Sequence, residues 1–119
     1  MNDREATVQQ LKDIAVAFIS ERDWDQYHPA KNLATNLVVE AVELLEKFTW
    51  LTAQESEEKV ESDRLGVEQE AADVFFSLIA FCARYKIDLA HAFEEKMKLN
   101  AQKYPIVKVY GKNTKYTQL

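Results

Sequence analysis

Apolar residues recur along this chain at the spacing of helices, with little of the alternation that marks strands. Val8, Leu11, Ile14, Ala15, Phe18 and Ile19 follow one another at three- and four-residue steps while Gln9, Lys12 and Asp13 fall between them, which predicts an amphipathic first helix of about five turns. The stretch 21–29, Glu-Arg-Asp-Trp-Asp-Gln-Tyr-His-Pro, breaks the period, and Pro29 turns His28 away from helical angles, so a loop rich in aromatic and charged side chains is expected. A second helix is predicted over 32–48, with Leu37, Ala41, Leu44, Leu45 and Phe48 facing inward and Asn36, Glu40, Glu43 and Lys47 forming a polar stripe. Thr52 and Glu55 have the spacing of a capping box, from which a short helix can start. The acidic segment 52–63 nevertheless has so few apolar residues that its composition is that of a connector. The third helix, 67–85, is apolar throughout its centre, 71–83, except at Asp73 and Ser77, the pattern of a helix buried on every side. Asp88 is placed to cap a fourth helix that Leu89, Ala92, Phe93 and Met97 anchor and Pro105 ends, and the tail 104–119 shows no period.

Composition agrees with that reading. Two Gly and two Pro in 119 residues cannot supply the turns of a many-stranded sandwich or barrel, and a 47% hydrophobic content excludes disorder. The expectation is a single all-α domain over 1–119, a four-helix bundle subunit with a basic C-terminal tail at 104–119. So small a core, combined with a third helix in need of neighbours all round, implies self-association. Cys82, the single cysteine, lies in an apolar run and reads as a small core residue. The N-terminal MNDREATVQQ lacks the basic-then-apolar pattern of a signal peptide, and no apolar run is long enough to span a bilayer, so the expected location is the cytoplasm, with no membrane partner.

Charge sharpens the picture because it is unevenly placed. Residues 1–95 hold 9 Lys or Arg against all 20 Asp and Glu, a net −11, whereas residues 96–119 hold six Lys and no acid, a net +6. An acidic body argues against a nucleic acid polymer as partner, since duplex binding needs many cations on one surface.

The candidate chemistry lies in the acids. Glu40 and Glu43 are three apart on the second helix, as are Glu70 and Asp73 on the third, and residues three apart share a helix face. If the two helices pack antiparallel, which the 26 residues from 44 to 69 allow, four carboxylates converge. Oxygen ligands without His or Cys suit a hard cation, Mg²⁺ first and Mn²⁺ second. Taken alone, Glu40 and Glu43 on a polar stripe read as a solvated face. Asp73 does not, because an ionised carboxylate in an apolar helix demands a partner, and a metal shared with the other three provides one. Trp24 and Trp50 are by default packing residues, His28 a local hydrogen-bonding residue, and Arg22, Lys31 and Asn32 either phosphate-facing or ordinary loop residues. A helical interaction module would account for the helices and the charge split, but not for Asp73.

The spacing Glu40-x-x-Glu43 and Glu70-x-x-Asp73 resembles the metal motif of the all-helical nucleoside triphosphate pyrophosphohydrolases of the MazG-like superfamily, closest to its dCTP pyrophosphatase branch. The resemblance runs through Phe18, Glu21 to His28, Lys31-Asn-Leu33, Glu40 to Glu46, Phe48-Thr-Trp50, Glu70 to Asp73, Lys96, Asn100, Lys103-Tyr-Pro105 and Lys115 to Leu119. Val39 replaces an acid common in the wider superfamily, as in the dCTP branch, and Ser77 stands where related sequences tend to carry Tyr. The resemblance implies hydrolysis of a nucleoside triphosphate to the monophosphate and pyrophosphate, with Mg²⁺ on Glu40, Glu43, Glu70 and Asp73, in a homodimer or homotetramer. The mechanism expected from it has one carboxylate, Glu43 or Glu46, holding the attacking water as base. It further implies Trp24 and Trp50 around the base and Lys96 and Asn100 toward triphosphate or sugar, and His28, Lys103 and Tyr104 are expected among the substrate-binding residues. A related dUTP or other triphosphate pyrophosphohydrolase is the neighbouring alternative. On this reading the basic stretch 96–119 is a phosphate-facing element.

Overall fold

A computed structural model describes residues 1–119 and contains helices and no strand. In chain order these are α1 (Val8–Ser20), α2 (Ala30–Glu46), α3 (Ala53–Ser62), α4 (Arg64–Arg84), α5 (Leu89–Lys103) and α6 (Ile106–Val109), with 3-10 turns at Asp25–Tyr27 and Tyr116–Gln118. The all-α architecture is as expected, with α3 and the short α6 added to the four anticipated helices. No helix is long and apolar enough to cross a membrane. The chain divides into two compact units, Met1–Lys86 and Ile87–Leu119.

In the first unit, Thr7 starts α1 through a complete capping box with Gln10, each side chain bonding the other's backbone amide. The helix has 13 residues, shorter than the five turns expected, because Asp23 takes a left-handed conformation (φ 54°) and the chain turns back. α2 begins at Ala30, earlier than the sequence suggested: the Pro29 carbonyl accepts from the amides of Asn32 and Leu33, so proline ends the loop and opens the helix at once. α3 forms despite its composition, since Thr52 and Glu55 do build the capping box.

α4 is the hub, packed against α2, α1 and, at its start, α3. The α2 and α4 helices run antiparallel: Lys47 at the end of α2 pairs with Asp63 just before α4, Glu40 and Glu43 meet Glu70, and Leu33 near the start of α2 shares a core cluster with Ala80. Ile19 of α1 completes that cluster, with Phe76 and Phe81 packed on it and Ile79, Ala15 and Cys82 buried nearby in the chain.

Burial departs from the periodicity at several positions. Asp73 is exposed, as are Phe75, Ala41 and Leu45. An apolar pattern reports what a helix surface is made of, whereas coverage depends on which neighbours exist, and one chain gives α4 only part of a shell. Lys12 is the converse case, a cation on the supposed polar side of α1 that is only 8% exposed.

In the second unit the Asp88 carboxylate accepts from the His91 amide to cap α5, which ends at Tyr104 before Pro105. Phe93 and Met97, expected to anchor α5, are exposed. The tail is more ordered than its lack of period suggested. Tyr116 packs edge-on against Tyr104, and the Lys103 ammonium lies 4.9 Å from the Tyr116 ring centre.

Candidate metal and active site

The antiparallel register of α2 and α4 brings Glu40, Glu43 and Glu70 together: each offers a carboxylate oxygen, and these all lie within 4.8 Å of one another. Asp73, one turn beyond Glu70, stands outside this triplet but its charge still bears on Glu40. Burial, first, pushes the Glu40 carboxyl above the ordinary carboxylate range; a hydrogen bond with Glu43 and the negative charges of Glu43, Asp73 and Glu70 push the same way.

Glu40 and Glu70 are half-buried, and in each the Oε2 atom is sealed from solvent without a hydrogen-bond partner. Acceptor-only oxygens that are buried, unpartnered and mutually repelling form a donor set that a cation would satisfy. The donor set is all oxygen, which fits a hard divalent ion that keeps several waters. The burial expected at Asp73 is found instead at Glu40 and Glu70, and Asp73 is exposed because no neighbouring element covers that turn of α4. Glu43 is exposed at the mouth of the cluster, and Glu46, three residues on, is exposed and outside it. A second triplet on α5, His91, Glu94 and Glu95, is wholly exposed and has no such buried oxygen.

The aromatic candidates divide. Trp24 packs edge-on against Phe18 (5.8 Å), and Phe18 against Phe76 (5.7 Å), so a ring series leads from the loop after α1 to α4, one turn past Asp73. Trp50 is 93% exposed and packs against no other ring. His28 is half-buried, its amide closing the 3-10 turn on the Asp25 carbonyl. Arg22 and Asn32 are held locally: the Arg22 guanidinium lies 3.7 Å over the Phe18 ring and donates to the Phe18 carbonyl, and the Asn32 side-chain amide, in the first turn of α2, donates to the Tyr27 carbonyl. Lys96, Asn100, Lys103 and Tyr104 all lie on or at the end of α5 in the second unit, with Asn100 half-buried.

Sequence reasoning missed the contact of Lys47 with Asp63 at 2.8 Å, beside Gly66. Its partners are 16 residues apart across the connection from α2 to α4, and no helical spacing could have paired them.

Fold and site together define an all-helical protein that gathers carboxylate oxygens from two antiparallel helices. The MazG-like family matches residues 36–119. The dCTP pyrophosphatase 1 proteins of Rattus norvegicus and Homo sapiens are each 36% identical over 117 residues, covering 97% of this chain and 69% of theirs. The crystal structure of a pyrophosphatase from Archaeoglobus fulgidus is similar with a TM-score of 0.80 at 36% identity, covering 88% of this chain and 98% of that one. The chain belongs to the MazG-like family.

Proposed function

We propose that this chain hydrolyses dCTP, or a modified dCTP, to the monophosphate and pyrophosphate with Mg²⁺ held by Glu40, Glu43, Glu70 and Asp73, so removing unwanted nucleotides from the pool. That it is a nucleoside triphosphate pyrophosphatase rests on its kinship with such enzymes over nearly its whole length. The observation that carries the metal is the pair of buried, unpartnered oxygens of Glu40 and Glu70 inside a cluster no wider than 4.8 Å. The nucleotide is taken from the relatives' substrate and from Val39 in place of an acid, the pattern of the dCTP branch.

A bound Mg²⁺ would polarise a phosphoryl group and lower the pKa of a water. The protein's own part is to hold four carboxylates in register and to accept the proton of the attacking water. The acceptor is Glu43, within the cluster, or Glu46, one turn along the same helix and outside it. Trp24 and Trp50 are assigned to the base and His28 to substrate binding; a stacked indole contributes about 1–3 kcal/mol. Lys96 and Asn100, four apart on α5, are assigned to triphosphate or sugar, and Lys103 and Tyr104 to substrate binding. The functional form we propose is a homodimer or homotetramer, supported by the apolar side chains that one chain leaves open, and its place is the cytoplasm, where free nucleotides are.

A panel of natural and modified triphosphates assayed for pyrophosphate release with Mg²⁺ or Mn²⁺ tests the reading. Release is expected to be fastest with a cytosine nucleotide, and to fall at least a hundredfold in Glu43→Ala and Asp73→Ala with helical circular dichroism retained, on the scale of a lost metal-assisted step. A preference for dUTP would move the substrate; full activity in both variants would remove the metal site.

A further inference from the structure

The carboxylates that make the candidate site also push its two helices apart. Glu40 and Glu43 on α2 face Glu70 and Asp73 on α4 across one seam, and Glu40 carries the repulsion of the other three. Something on that seam has to hold the helices in register before any cation arrives.

Lys47 lies one turn beyond Glu43 and two turns beyond Glu40, and Asp63 lies two turns before Glu70, so both fall on the faces that carry the acids. Lys47 Nζ donates to Asp63 Oδ2 at 2.8 Å with side chains only 22% and 36% exposed, and Lys59 Nζ stands 3.7 Å from the same oxygen. The Lys47 hydrogen bond, against a smaller opposing effect of burial, holds the Asp63 carboxyl below its ordinary range. Gly66 makes the room: a Cβ there would meet the Asp63 carboxylate oxygens at 2.5 and 2.6 Å and Lys47 Nζ at 2.7 Å. Those atoms are the free ends of flexible side chains, so a methyl group at 66 would displace the ion pair and leave the backbone in place.

We propose that Lys47, Asp63 and Gly66 are positioning residues for the metal-binding carboxylates: the ion pair, seated in the space Gly66 leaves, fixes the register of α2 on α4 against the repulsion of the acids. The inference rests on the metal-site reading given above. It makes a prediction opposite in sign to that of simple electrostatics. Removing a cation close to an acidic site strengthens the local negative field and so tightens Mg²⁺ binding; loss of register weakens it.

Calorimetric titration of the full chain with Mg²⁺ decides between them. In Lys47→Met, affinity is expected to fall about tenfold, as for other residues that orient metal ligands, while Lys47→Arg keeps it near the parent value. In Gly66→Ala, affinity should fall similarly although the thermal midpoint holds or rises, because alanine is the better helix former. Pyrophosphate release by both weakened variants should recover at saturating Mg²⁺, which places the defect in metal uptake. Unchanged or tighter Mg²⁺ binding in Lys47→Met and Gly66→Ala, with the parent binding normally, overturns the positioning role alone. Weaker binding only in proportion to lost thermal stability, or without rescue by arginine, reduces the pair to a general structural contact and also overturns it. No uptake by the parent chain overturns the metal site and the positioning role together.

Discussion

Glu40 concentrates the conflict built into the site, being half-buried, short of one hydrogen-bond partner and surrounded by three like charges. Its carboxyl is raised in the folded chain, so between the ordinary carboxylate value and that raised value the native state holds more protons than the unfolded one. Stability of the metal-free protein from this group is therefore greatest on the acid side and is lost as pH rises through the raised value. Glu40→Gln keeps the shape, removes the charge and offers an amide donor to its acid neighbours. It should stabilise the metal-free protein at pH 7.5 by about 1 kcal/mol, the scale of relieving an unpartnered buried polar atom. The advantage over the parent should shrink on acidification, as the parent's Glu40 takes up its proton, and the rise in thermal midpoint on adding Mg²⁺ should largely disappear. An advantage that grows on acidification would contradict this account of Glu40. The convergence of the acids was legible in the sequence from their three-residue spacing on two helices, but the burial of Glu40 was not, since spacing shows which face a residue occupies and says nothing of how deeply a neighbouring helix covers it.

Among the elements, those with a strong period were legible and their ends were less so. The α1, α4 and α5 helices follow from apolar spacing, and Asp88 and the Thr7 and Thr52 boxes show that short polar side chains set where helices start. The α3 helix illustrates the limit of composition as a guide: with few apolar residues it still forms, because Thr52 and Glu55 satisfy amides that a connector would leave to water. The Thr52 amide and hydroxyl hold the Glu55 carboxyl below its ordinary range. That contribution is present above the unfolded carboxylate value and is lost as pH falls through the depressed one. Thr52→Ala should destabilise the Ala53–Ser62 segment by about 0.5–2 kcal/mol, the usual cost of losing such a cap. Amide hydrogen exchange would show it as protection lost in α3 and kept in α4; equal loss in both would mean that α3 is not an independent local element.

For the whole molecule, the decisive feature is what a single chain leaves uncovered. On α2, Val38, Val42 and Leu45 follow at helical spacing and are 62%, 44% and 59% exposed, although the acids of the same helix face α4. The helix therefore has two working faces, one turned to the candidate metal site and one apolar and unclaimed. A stripe of this kind in water is costly, since covering a Val or Leu side chain is worth about 1.5–3 kcal/mol. A second copy of the chain is the partner we propose for it, and the homo-oligomer expected from the small core has this stripe as its physical cause. Val42→Lys with Leu45→Lys would place two ammonium groups in such an interface, so light scattering at micromolar concentration should give an oligomer for the parent and a monomer for the double variant. Because the acids lie on the other face, the variant should retain Mg²⁺ uptake within a few-fold if the two faces are independent, as sites without shared partners usually are. An oligomer unaltered by the two lysines would assign the association to another surface, such as that around Phe75 of α4, which is 42% exposed. A parent chain that is monomeric at that concentration would remove self-association from the account of the site.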